Sequence, residues 1–176
     1  ILQHGDGVKI NKKEAACLYE LAIRKNEYEA LLYYGLMLQY GEGINVDKKK
    51  AIRCFQDAIQ HGNSDAMVSY GLMLQNGDGV EMNKEKAIRY FQDAIEHENS
   101  DAMINYGIML QNGEGVEINK TEAFRYFNMA ANKGNARGMF KCGIMLYYGD
   151  GIRMNREKTN EYYNSAIEIG KTDSMI

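Results

Sequence analysis

A Gly-x-Gly doublet returns every 36 residues along this 176-residue chain, at Gly5/Gly7, Gly41/Gly43, Gly77/Gly79, Gly113/Gly115 and Gly149/Gly151. A fixed period of this length marks an array of one supersecondary unit. A unit this short cannot bury its own apolar face, so neighbours must stack and leave an extended surface. Between 50–79 and 86–115, 23 of 30 residues are identical. Duplication explains that better than a separate catalytic residue in each unit.

One unit shows the local physics. Asp65 to Gln75 is apolar on almost every side and rich in Met, Leu and Ala, which predicts a helix buried between neighbours. Asn63 and Ser64 can accept from its first free N–H groups, and Gly77 or Gly79 can take positive φ and stop it. Asn83 then opens an amphipathic helix from Lys84 to about Glu96, with Ala87, Ile88, Phe91, Ala94 and Ile95 on one face. Its cap column reads Asn11, Asp47, Asn83, Asn119 and Asn155. Glu14 and Glu122 follow two of these caps by three residues and complete a capping box. Gly62, Gly134 and Gly170 mark the far ends, where Asn26 and Glu98 stand in other units.

Small residues set the packing. Gly35, Gly71, Gly107 and Gly143 lie inside the first helix of each pair. Ala51/Ala87/Ala123 and Ala22/Ala58/Ala94/Ala130/Ala166 form columns of the second. Close helix approach at these points leaves gaps for Tyr19, Phe55, Phe91, Phe127 and Tyr163 to fill. The expectation is nine helices with the start of a tenth at Thr172–Ile176. They form one continuous array over 1–176, with units near 29–64, 65–100, 101–136 and 137–172. The array opens mid-unit, lacks polar end caps and is expected to continue beyond both ends.

Composition narrows the function. A net charge of −3 leaves no basic footprint for nucleic acid, and no apolar run is long enough to span a membrane. The absence of Pro fits a chain made mostly of helix interior. Cys17, Cys54 and Cys142 fall in three different columns, which reads as reduced, mostly core-filling thiols and favours an intracellular setting. The sequon Asn119-Lys120-Thr121 points weakly the other way. Gly-Asp-Gly-Val follows a helix and lacks the Lys-Ser/Thr of a phosphate loop. Asn76-x-Asp78 lacks the later ligands of a calcium loop. His61 and His97 stand one repeat apart, too far to share a metal, and His4 lies in another column. No cofactor is expected. The run Lys48-Lys49-Lys50 with Arg53 reads as a solvated outer face.

Across one unit the chain reads Ala30-x3-Tyr34-Gly35-x2-Leu38-x2-Gly41-x-Gly43-Ile44-x2-Asp47-x2-Lys50-Ala51-x3-Phe55-x2-Ala58-Ile59-x2-Gly62. This pattern resembles the Sel-one-like repeat family, a subset of tetratricopeptide-like α/α solenoids, and it runs through essentially the whole chain. Tyr34, Tyr70, Tyr106 and Cys142 depart from the family's usual Leu, Leu38 and its equivalents from its Tyr, and Thr159 from its column Ala. The resemblance implies an all-α, right-handed superhelical solenoid of about five helix pairs. The first helix of each pair would line the inner, concave surface. It also implies a non-enzymatic adaptor or scaffold that binds a peptide or protein partner. Cysteine-rich relatives linked to β-lactam binding or hydrolysis suggest a small-molecule alternative, although their paired cysteines are missing here. End-to-end self-association as a structural spacer is a third reading.

Carried over by motif, the inner wall has three rows. Leu32, Val68, Ile104 and Phe140 form one, and Leu36, Leu72, Ile108 and Ile144 the next. Gln39, Gln75, Gln111 and Tyr147 form the third, flanked by Tyr40, Asn76, Asn112 and Tyr148. Either the aliphatic rows form the floor of a peptide site or they are buried against the next helix pair. The amides and phenols would bond peptide backbone. Glu29, Asp65, Asp101 and then Arg137 mark the helix entries, and 137–148 differs most from the other units.

Overall fold

The computed structural model describes residues 11–173, with side chains through residue 170. Among these residues there are nine helices and no strand: α1 (Lys12–Arg24), α2 (Ala30–Tyr40), α3 (Lys48–Gln60), α4 (Ser64–Asn76), α5 (Lys84–Glu96), α6 (Ser100–Asn112), α7 (Lys120–Asn132), α8 (Ala136–Tyr148) and α9 (Arg156–Asp173). The all-α helix-pair expectation is met. Gly5/Gly7 and His4 lie outside the described residues.

Local signals act where they were read. Asn11, Asp47, Asn83, Asn119 and Asn155 each accept, through a side-chain oxygen, the backbone N–H three residues on. This satisfies one orphan donor per helix start. The capping boxes are not formed as expected. Glu14 takes a hydrogen bond from the Asn11 side-chain amide, and Glu122 is drawn to the Arg125 guanidinium. A full positive charge one turn away holds a carboxylate more strongly than a backbone amide does.

Gly41, Gly77, Gly113 and Gly149 take the left-handed conformation after α2, α4, α6 and α8. Each corner is then closed by a second bond. The N–H groups of Asp47, Asn83, Asn119 and Asn155 reach back to the carbonyls of Leu38, Leu74, Leu110 and Leu146. Asn26 and Glu98 adopt φ of 63° and 60°, the same corner that Gly62 and Gly134 make elsewhere. Gly170 does not end its helix, because α9 runs on to Asp173. Thr172 and Asp173 therefore continue α9 and start no tenth helix, and 174–176 lie outside the described residues.

The chain divides into two compact units, residues 1–87 and 88–176. In the first, α1 packs on α2, α2 on α3 and α3 on α4. A Cβ on Gly35 would sit 2.7 Å from Cε1 of Phe55, so this glycine is what admits the ring. Phe55 and Ala58 are wholly buried. In the second unit α6, α7, α8 and α9 pack in sequence, and α6 also touches α8. Gly107 admits Phe127 and Gly143 admits Tyr163 by the same close approach. Burying each Phe contributes on the order of 1.5–3 kcal/mol.

The tyrosines at 34, 70 and 106 bury their rings and keep their hydroxyls bonded. Tyr34 Oη donates to Glu20 and accepts from Lys50 Nζ at 2.8 Å. Gln56 and Gln92 donate to Tyr70 and Tyr106, each at 3.2 Å. Cys142 holds this column in the last pair, and there Tyr162 of α9 reaches Asn128 Oδ1 at 2.5 Å instead. Thr159 is buried with its hydroxyl on the Asn155 carbonyl, so the departure from Ala leaves no unmet polar group.

Candidate partner-binding surface

The four columns proposed as an inner wall separate into different environments. Leu32, Val68 and Ile104 are core residues, with Ile104 fully excluded from solvent. They are not contact residues, since an apolar row at helical spacing finds its partners in the adjacent helices first. Phe140, in the same column, is exposed and lies 5.6 Å from the Tyr163 ring. Leu36, Leu72, Ile108 and Ile144 are half-buried.

The glutamine column does structural work. Gln39 is only 9% exposed and donates to Asp78 Oδ2 at 3.0 Å, while Lys48 Nζ bonds the other oxygen of the same carboxylate. In the second unit Gln111 donates to Asp150 at 3.0 Å and Lys120 binds it at 2.6 Å. These acids sit between the two corner glycines one repeat further on. Both carboxyls are held below the usual aspartate range, by the lysine first and the glutamine second. Thr121 completes the second joint by donating to the Gly151 carbonyl at 2.9 Å. Gln75 is half-buried.

Two of the three lysines read as solvated are therefore joints between repeats: Lys48 on Asp78, and Lys50 on Tyr34 and Glu20. The sequence held a usable signal. An acid recurs at 6, 42, 78, 114 and 150, and a lysine recurs 30 residues earlier at 12, 48, 84 and 120.

Tyr40, Asn76, Asn112 and Tyr148 lie at the surface, the Asn112 amide donating to Glu114 Oε1 at 3.1 Å. All four are exposed, Tyr40 at 66% and Tyr148 at 71%. Tyr147 is also exposed and meets the Tyr148 ring edge-on at 4.9 Å. A second exposed row was not anticipated. Val46, Met82, Ile118 and Met154 stand just before the N-caps and lean over the corner glycines, with Val46 Cγ2 2.8 Å from a Cβ built on Gly41. Arg137, where the acidic entry column changes sign, pairs with Asp101 at 3.3 Å. His61 stacks on Tyr28 with ring centroids 3.5 Å apart.

The buried cysteines have no reactive character. Desolvation pushes the Cys54 thiol up to about 11 and the Cys142 thiol up to about 12, so both stay protonated. Among the described residues no cluster of His, Cys, Asp or Glu is placed to hold a metal ion. No helix among them is long and apolar enough to cross a membrane.

The Sel1 repeat profile matches residues 1–27, 29–63, 64–99, 100–135 and 136–171. A Sel1 repeat protein from Oxalobacter formigenes is 33% identical over 99% of this chain and 71% of its own, with a TM-score of 0.87. The protective antigen c5321, present in uropathogenic Escherichia coli strains and displaying an SLR fold, is 26% identical with a TM-score of 0.80. The match covers 96% of this chain but only 36% of that one. Helicobacter pylori cysteine rich protein B shares the fold at 22% identity and a TM-score of 0.57, over 74% of this chain and 96% of its own. No curated protein matches the sequence significantly. Repeats of this type generally mediate protein–protein interaction on a non-catalytic framework. With its repeat register, its helix pairs and its corner glycines all matched, the chain belongs to the Sel1 repeat family.

Proposed function

We propose that this chain is a non-enzymatic scaffold that docks a peptide or protein partner on exposed helix ends within each unit, those of α2 and α4 in the first and those of α6 and α8 in the second. One observation carries the reading. Tyr40, Asn76, Asn112 and Tyr148 are all exposed, whereas the neighbouring glutamines at 39 and 111 are spent on joints between repeats. An exposed position filled by a phenol or amide at 40, 76, 112 and 148 suits a partner's backbone and side chains. Tyr147 and Phe140 extend the same surface in the last pair. The protonated, buried thiols at 54 and 142 support a core role and not a nucleophilic one.

The test is affinity capture with the parent protein in its own cell, comparing Tyr147→Ala/Tyr148→Ala and Tyr40→Ala with the unaltered chain. Partners lost from these variants, at unchanged helical content, support the reading. Capture that is indifferent to all three substitutions overturns it.

A further inference from the structure

A second surface differs in charge from its counterparts in the rest of the array. Between α7 and α9 lies a cleft of about 550 Å³, walled by Phe124, Ile152 and Met154 and edged by Arg153, Lys158 and Tyr162. No carboxylate lines it. Neither the Arg153 nor the Lys158 side chain has a hydrogen-bond or ion-pair partner among the described residues. Lys158 and Tyr162 also line a neighbouring hollow of about 370 Å³, where Met139 and Ala131 add apolar wall and the Glu161 carboxylate is a further lining group.

The same columns in the other repeats show how unusual this is. Where the last repeat has Asn128, Arg153, Asn155 and Lys158, the repeat three units earlier has Glu20, Asn45, Asp47 and Lys50. There Lys50 is consumed by Glu20 and the Tyr34 hydroxyl. The next repeat has Gln56, Glu81, Asn83 and Lys86, and the one after it Gln92, Glu117, Asn119 and Glu122. Over these four columns the formal charge runs −1, 0, −2 and then +2. Three changes free the last lysine. The partner carboxylate becomes Asn128, the partner phenol becomes Cys142, and Tyr162 turns the Asn128 oxygen to itself at 2.5 Å. An exposed, unpaired cation beside an apolar wall is complementary to a carboxylate on an apolar chain.

We propose that this cleft between α7 and α9 docks an acidic peptide segment, its carboxylates on Arg153 and Lys158 and its apolar side chains on Phe124, Ile152 and Met154. The proposal rests on the scaffold reading above but uses a cleft whose lining includes neither Tyr147 nor Tyr148.

The test is fluorescence anisotropy on the whole chain. The probe is a fluorescein-labelled decapeptide of glutamate, leucine and glycine, and the control is its lysine-for-glutamate counterpart. The expected result is binding of the acidic probe only, weakened at least about tenfold in Arg153→Glu/Lys158→Glu and several-fold in the milder Arg153→Gln/Lys158→Gln. Lys13→Glu/Lys49→Glu makes the same change in net charge on the other unit and should leave binding within about twofold. Equal losses in the two charge-reversed variants would mean bulk electrostatics and overturn the proposal. So would equal binding of a single-stranded oligonucleotide, or no binding of the acidic probe. If Tyr147→Ala/Tyr148→Ala still abolishes partner capture while the probe fails to bind, this inference falls and the scaffold reading stands.

Discussion

Two glycines inside helices should respond to the same substitution with opposite signs. Gly107 lies mid-helix in α6, and an added Cβ would stand 2.6, 3.0 and 3.2 Å from three atoms of the Phe127 ring edge. Ordinary contact begins near 3.4 Å, so the ring edge must retreat by up to roughly 0.8 Å. Phe127 has no solvent-exposed surface into which to move. Overpacking of this kind costs about 1–3 kcal/mol, while replacing Gly by Ala inside a helix recovers up to about 1 kcal/mol. Gly107→Ala should therefore be net destabilising, by about 1–2 kcal/mol. Gly170 is also helical, but nothing lies within 4 Å of its added Cβ. Gly170→Ala should keep the helix-propensity gain, about 0.5–1 kcal/mol at most. Urea unfolding followed by circular dichroism reads both as midpoint shifts in opposite directions. In the double variant Gly107→Ala/Phe127→Leu the shorter side chain makes room, so its cost should fall below the sum of the two single costs. A Gly107→Ala chain as stable as the parent would refute the argument that this glycine exists to seat the ring.

Thiol labelling at pH 8 should modify Cys17 alone in the folded chain and all three cysteines in denaturant, read by intact mass. Rapid labelling of Cys54 or Cys142 under native conditions would contradict their burial and raised pKa. Acid should weaken the joints between repeats. The carboxyls of Asp78 and Asp150 are held below their unfolded value, so their contribution is complete above about pH 4 and lost as pH falls below it. Asp78→Asn/Asp150→Asn should flatten the fall in urea midpoint between pH 6 and pH 3. An unchanged slope would show that these joints contribute nothing that titrates.

Features decided within a few residues were legible in the sequence. The five N-caps act over three residues and the corner glycines over four or five, and both were read correctly. The glycine and aromatic columns were legible because their offset repeats. Gly170 shows the limit of that logic. Glycine permits a left-handed corner without imposing one, and Glu98 makes the corner without glycine. Gln39 was misread because its partner stands 39 residues away and its exposure depends on that partner. The buried row of Leu32, Val68 and Ile104 could not be told from a binding floor, because both demand the same aliphatic residues at the same spacing. The charge inversion around Arg153 and Lys158 was present in the letters. It became visible only once the neighbouring second helices were seen to share a cleft.

The corner carboxylates reach back 30 and 39 residues and no further. A nascent chain can thus fasten each joint as soon as the next corner leaves the ribosome, without waiting for its far terminus. The same economy of reach lets a genome lengthen such a protein by whole modules, since an inserted copy brings an acid for the repeat before it and a glutamine and lysine for the repeat after it.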